Sequence, residues 1–262
     1  MIESTEMVPT TIFYHVWLRS PRWKELVFAQ LARLSSSGLY DNCTNLFICG
    51  IGDLPSRKEL EEVLKHYPKA TILDYHEEET FELATLQMLQ NYAKSNLDNN
   101  ILYIHTKGVT YNRVSVDHWR LCMEYFCIDH YKECLDLLNT GADMVGVNLF
   151  PKPMVHYSGN FWWTRASYIA TLGSMELKSG NPRKSIHPRM CGEFWPVSGV
   201  GNFECLYYSR VNHYLDPHHP VNYTAKHFLD HQDTARETRA VIWAEAGLPA
   251  FPGLTSGKAM VD

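Results

Sequence analysis

Asn100-Ile101-Leu102-Tyr103-Ile104-His105-Thr106-Lys107-Gly108 is the stretch on which the fold turns. It opens as an apolar run of the kind buried on both faces of a sheet, and the polar residues after it mark a strand end. Toward the N-terminus, Ala70-Thr71-Ile72-Leu73-Asp74-Tyr75, Asn45-Leu46-Phe47-Ile48-Cys49-Gly50 and Thr11-Ile12-Phe13-Tyr14-His15-Val16 read as three more strands. Helical patterns separate them. Trp23, Leu26, Val27, Leu31 and Leu34 share one face, ending at Ser35-Ser36-Ser37-Gly38. Ser56-Arg57-Lys58-Glu59 reads as a capping box for a second helix running to about Tyr67-Pro68. Phe81, Thr85, Met88, Leu89 and Tyr92 mark a third. This alternation predicts βαβ units and an α/β fold with a mainly parallel sheet flanked by helices. Beyond Gly108 follow a helix from Trp119 to Leu138, a strand at Asp143–Asn148, and a region rich in Trp, Tyr, Gly and Pro.

The 262 residues are 45% hydrophobic and 20% charged, which places the chain among ordinary globular proteins and predicts one domain over 1–262. Lys and Arg total 24 against 29 Asp and Glu, a net charge of −5, and the basic residues are scattered. No nucleic-acid partner is expected from that balance. No apolar run reaches the ~18–20 residues of a membrane span, and Met1-Ile2-Glu3-Ser4-Thr5-Glu6 lacks the pattern of a signal peptide. A cytoplasmic location is therefore expected. The seven cysteines show no zinc spacing and read as free thiols.

Open α/β sheets bind ligands at the carboxyl ends of their strands. Four clusters occupy such positions: His15-Val16-Trp17, Gly50-Ile51-Gly52-Asp53, Asp74-Tyr75-His76 and His105-Thr106-Lys107-Gly108. In Gly50-Ile51-Gly52-Asp53-Leu54-Pro55 the third glycine of a dinucleotide fingerprint is replaced by Pro55, so it reads as a plain strand-to-helix turn. His105-Thr106-Lys107-Gly108 suits a pyrophosphate: an ammonium, two hydrogen-bond donors and a glycine that admits close backbone approach. An exposed turn lysine beside a buried histidine is the competing reading.

Val155-His156-Tyr157-Ser158-Gly159-Asn160-Phe161-Trp162-Trp163-Thr164-Arg165 gathers aromatic faces and hydroxyl-reading polar groups, as sugar recognition requires. It also fits a core strand. Alternation would then bury Phe161 and Trp163 and turn Asn160 and Trp162 to the ligand. In Cys191-Gly192-Glu193-Phe194-Trp195-Pro196 a lone carboxylate sits among aromatics, where desolvation would fit it for acid–base work, or where it caps or pairs structurally. His213, His218, His219, His227 and His231 crowd the C-terminal part, but His227-Phe228-Leu229-Asp230-His231 lacks the glutamate of a metalloprotease helix. No metal site is assigned there.

Tyr103-Ile104-His105-Thr106-Lys107-Gly108, Trp119-Arg120, Gly141-Ala142-Asp143-Met144-Val145-Gly146-Val147-Asn148, Ser158-Gly159-Asn160-Phe161-Trp162-Trp163 and Glu193-Phe194-Trp195 together resemble a group of GT-A-fold glycosyltransferases found in viruses, protists and bacterial polysaccharide clusters. The resemblance spans roughly residues 10–210. It implies a Rossmann-like GT-A fold with a mixed, mainly parallel sheet, in which residues 10–150 bind a nucleotide-diphosphate sugar. Residues 151–215 would form the acceptor and catalytic half, and 216–262 a C-terminal extension. The partners implied are the nucleotide sugar and a saccharide acceptor. Glu193 would be the base, and Lys107 helped by His105 would stabilise the leaving diphosphate. His15, Tyr75, Thr106 and Gly108 would bind the donor, and His156, Ser158, Asn160, Trp162 and Trp163 the sugars. Such enzymes usually carry Asp-x-Asp at the end of the strand matching 101–104, holding Mn²⁺ or Mg²⁺ on the diphosphate. His105-Thr106-Lys107 stands there instead, so metal-independent transfer with no tightly bound cofactor is expected. The alternative is a sugar- or nucleotide-binding protein that keeps the fold without catalysis.

Overall fold

Strand β1 (Thr10–Trp17) is buried almost throughout because both faces of its sheet are covered. Ile12, Tyr14 and Val16 pack into one apolar cluster and Phe13 into a second, each beneath its own layer of helices. The computed structural model describes residues 8–175 and 188–208. The N-terminal hexapeptide, the histidine-rich segment and the whole of 216–262 lie outside the described residues.

The chain continues through α1 (Trp23–Ser36), a single turn α2 (Leu39–Asn42), β2 (Asn45–Ile51), α3 (Leu54–Leu64), β3 (Ala70–His76), α4 (Leu83–Ser95) and β4 (Asn100–His105). Next come α5 (Val114–Glu124), a π turn at Tyr125–Asp129 and α6 (Tyr131–Asn139). The remainder holds β5 (Met144–Gly146), the short pair β6 (Leu149–Phe150) and β7 (His156–Tyr157), β8 (Trp162–Arg165), α7 (Ala166–Thr171), α8 (Pro188–Phe194) and β9 (Phe203–Cys205). The main sheet has seven strands in the order β3-β2-β1-β4-β8-β5-β9. β1 is parallel to β2 and β4, and β2 to β3, while β8 runs antiparallel between β4 and β5. The sheet is thus the mixed, mainly parallel, Rossmann-like kind.

Four local expectations need correction. Helix α3 begins at Leu54 and not at Ser56, because the Asp53 carboxylate accepts the Ser56 backbone N–H at 2.9 Å and Pro55 fits the first turn. Phe81 precedes α4 with φ +50, so it bends the chain into the helix and does not join its buried stripe. The helix expected through Leu138 is broken by the π turn, and the strand at Asp143–Asn148 is shortened to three residues.

Both tryptophans of β8 are fully buried, Trp162 in one apolar cluster and Trp163 in the other. The Trp163 indole N–H donates to the Cys127 carbonyl at 2.8 Å. Truncating Trp163 to Ala removes that bond and leaves a large void, so chemical unfolding should show a loss of roughly 3–5 kcal/mol. A loss under ~1 kcal/mol would mean the site collapses around the gap.

Candidate active site

In the sheet, the order of connection reverses between the parallel strands β1 and β4: β2 and β3 lie on one side of β1, and β4 starts the other. Diverging connections leave a crevice at the carboxyl ends of two such strands. A cleft of about 590 Å³ opens there. His15 from β1 lines it, as do His105, Thr106, Lys107 and Gly108 from the end of β4. Ser158 from the loop before β8 and Glu193 from α8 complete the set of anticipated residues in one space.

The turn after β4 is held from several sides. Thr106 Oγ1 accepts the Trp17 backbone N–H at 3.0 Å, tying β1 to β4 at the cleft floor. Arg22, at the start of α1, donates to the Gly108 and Tyr111 carbonyls and makes a two-pronged pair with Asp117 at 3.0 and 3.1 Å. Gly108 takes φ +81, and a Cβ there would sit 2.8 Å from Val116 Cγ1, so only glycine suits this turn. The Lys107 ammonium lies 4.1 Å from the centre of the Trp119 ring, whose face orients it by cation–π attraction.

Glu82, which the sequence reading did not single out, stands beneath the cleft and is 7% exposed. Its Oε2 accepts from Asn160 Nδ2 at 2.5 Å and from the Tyr103 hydroxyl at 3.3 Å, and its Oε1 is 3.4 Å from His105 Nδ1. Burial, and then the Glu82 charge, push the Tyr103 phenol well above its usual range, so it remains a donor. His15 Nδ1 is bonded to Thr85 Oγ1 at 2.8 Å. Arg113, Glu79 and the aromatics Trp17, Phe81, Tyr111 and Trp119 also line the cleft. No local sequence signal marks Glu82, which follows Glu77, Glu78 and Glu79 in the loop before α4.

Five anticipated residues do not line this cleft. Trp162 and Trp163 are 0% exposed and cannot stack on a sugar, because helices cover both sheet faces. Asn160, with φ +61, is buried; its Oδ1 accepts the Trp162 indole N–H at 2.7 Å while its amide holds Glu82, so it braces the cleft from below. Tyr75 packs against the second strand-to-helix turn: Cβ atoms at Gly50 and Gly52 would lie 2.7 and 2.6 Å from it. Its hydroxyl donates to the Asp53 carbonyl. Those two glycines leave room for the ring, and Tyr75 does not line the cleft.

His156 is 0% exposed, its Nδ1–H donating to the Met154 carbonyl at 2.7 Å. Burial pushes its imidazole down to about 4. The unfolded chain, titrating near ~6.5, binds the extra proton first. Stability should therefore hold above about pH 6.5 and fall by up to ~1.4 kcal/mol per unit between there and pH 4. His156→Leu should flatten that part of the curve; an unchanged slope in urea titrations would assign the acid sensitivity elsewhere.

The end of β4 carries the His105 imidazole and the Lys107 ammonium. Among the described residues no group of three or more His, Cys, Asp and Glu side chains is arranged to hold a metal ion. No helix among the described residues is long and apolar enough to cross a membrane.

Sheet order and cleft together define a Rossmann-like α/β protein with a largely apolar cleft, dotted with charged groups, at its topological switch point. The chain belongs to the family described as a domain of unknown function, DUF8361, which matches residues 13–186. No curated protein matches it. Among solved structures it is similar to 4-diphosphocytidyl-2C-methyl-D-erythritol synthase from Anaerococcus prevotii, at 10% identity and a TM-score of 0.42, over 88% of this chain and 98% of that one.

Proposed function

We propose that this protein is a glycosyltransferase, moving a sugar from a nucleotide-diphosphate donor to a saccharide hydroxyl. The observation that carries the reading is the meeting in one cleft, at the switch point, of the Lys107 and Arg113 cations with the Glu193 carboxylate from a separate element. Lys107 and Arg113 suit the oxygens of a departing diphosphate. Glu193 suits the acceptor side: as the acceptor oxygen bonds to the anomeric carbon, its proton passes to the Glu193 carboxylate. The bond from that carbon to the phosphate oxygen breaks, and the diphosphate leaves with the electron pair. Trp17, Phe81 and Tyr111 supply apolar faces for base and sugar.

The test is a thermal-shift and donor-hydrolysis panel of UDP, GDP, CMP and dTDP with their common sugar conjugates, in Mn²⁺ and in EDTA. One diphosphate should raise the melting temperature by mass action, persist in EDTA, and release nucleotide slowly from its sugar conjugate. Binding without any release under either condition would favour the non-catalytic reading. Activity that requires added Mn²⁺ would overturn the metal-independent form of the proposal.

A further inference from the structure

The hydrogen-bond partners around His105 fix where its protons lie. Its Nε2 is 2.9 Å from the Gly159 carbonyl, which only accepts, so Nε2 carries a hydrogen. Its Nδ1 faces Glu82 Oε1 at 3.4 Å. A neutral ring would turn a lone pair toward the ionised Glu82, whereas one extra proton makes the contact an ion pair. Glu82 Oε2 already receives two donors. The Trp162 indole can only donate, which sets Asn160 Oδ1 toward it and Asn160 Nδ2 toward Glu82, while the Tyr103 hydroxyl gives the second bond. Donors of this kind stabilise the ionised carboxylate, and the extra proton therefore belongs to the imidazole.

The other groups near the ring come from several elements. Tyr103 stacks on it at 6.3 Å and 15°, Phe161 meets it edge-on at 5.2 Å, and His15 is its register neighbour on β1. Lys107 and Glu193 line the same cleft with opposite charges, the first opposing the extra proton and the second favouring it.

We infer that Glu82 is a positioning residue: it holds His105 as a doubly protonated imidazolium, and together they clamp the Ser158-Gly159-Asn160 loop to the end of β4. His105 grips the Gly159 carbonyl and Glu82 grips the Asn160 amide, so the loop is tied at two successive residues. Gly159 takes φ +92, with Met123 and Trp119 against the space a Cβ would need. The clamp presents Ser158 to the cleft. Ser158 is 1% exposed, and its Oγ has no hydrogen-bond partner among the described residues. A buried hydroxyl left unmatched costs free energy, and a substrate hydroxyl is the chemistry that satisfies it. The Nε2 side of His105 is taken by the Gly159 carbonyl and its Nδ1 side faces Glu82, so this histidine orders the site and does not bond the diphosphate directly.

The substrate role of Ser158 rests on the transferase reading; the protonation state does not. Long-range ¹H–¹⁵N spectra of the full chain labelled at histidine, with His105→Gln to assign the signal, should show both ring nitrogens protonated at pH 7.5. In Glu82→Gln, one ring nitrogen should move to the unprotonated range while the circular dichroism of the fold is retained. A wild-type ring with one bare nitrogen at pH 7.5 overturns the inference, as does a Glu82→Gln ring still doubly protonated. If Glu82→Gln fails to fold, the wild-type spectrum alone decides. Loss of the transferase reading would appear separately, as no transfer from any donor with the ring spectrum unchanged.

Discussion

Glu193→Gln is expected to lower turnover by about 10²–10⁴-fold, the usual contribution of a positioned general base. The substitution keeps the shape of the side chain and removes its ability to take the acceptor's proton. Glu193 sits on α8, apart from the β4 turn that carries Lys107, so donor binding should stay nearly unchanged. The informative readout is the pair of measurements: steady-state turnover with acceptor present, and nucleotide affinity by calorimetry. A collapse of both would make Glu193 a structural residue of the cleft, and normal turnover would remove it from the chemistry.

Lys107→Met should weaken binding of the nucleoside diphosphate by about 1.5–3 kcal/mol, the range for hydrogen bonds to charged groups, with a further loss in turnover of order 10²-fold. Methionine keeps the length of the side chain and its packing on Trp119 but carries no charge. Affinity for the nucleoside without phosphates should therefore be unaffected. Equal weakening of nucleoside and nucleoside diphosphate would mean that the turn itself had moved. Lys107→Arg should recover only part of the loss, since a planar guanidinium seats differently over the indole.

The sheet and the ligand edge were legible because each rests on a local pattern. Four apolar runs separated by helical periodicity fix parallel strands, and the carboxyl-end rule then points to His15 and to His105 through Gly108 without tertiary knowledge. The β8 tryptophans were misread because alternation along a strand says which residues share a face, not what covers that face. With helices on both sides, Trp162 and Trp163 are equally hidden. Ser56 and Asp53 are both good caps three residues apart, and only the fold decides that Asp53 closes the helix. Glu82 lay beyond reach for a different reason: it follows Glu77, Glu78 and Glu79, and nothing local separates it from a solvated acidic run. Its meaning comes from Tyr103, His105 and Asn160, which two other parts of the chain bring to it.

The antiparallel placement of β8 also dictates the order in which the molecule can be assembled. Tyr103 pairs with Trp162 across the sheet, so the edge of β4 gains its neighbour only after the chain has returned from far along the sequence. In synthesis from the N-terminus, β1 to β4 are complete before β8 emerges. The wall carrying Ser158 is thus among the last parts to be laid down, and a chain halted before Ser158 on the ribosome would carry Lys107 and His105 with the cleft still open on that side. Ligand protection during synthesis would therefore report the arrival of β8.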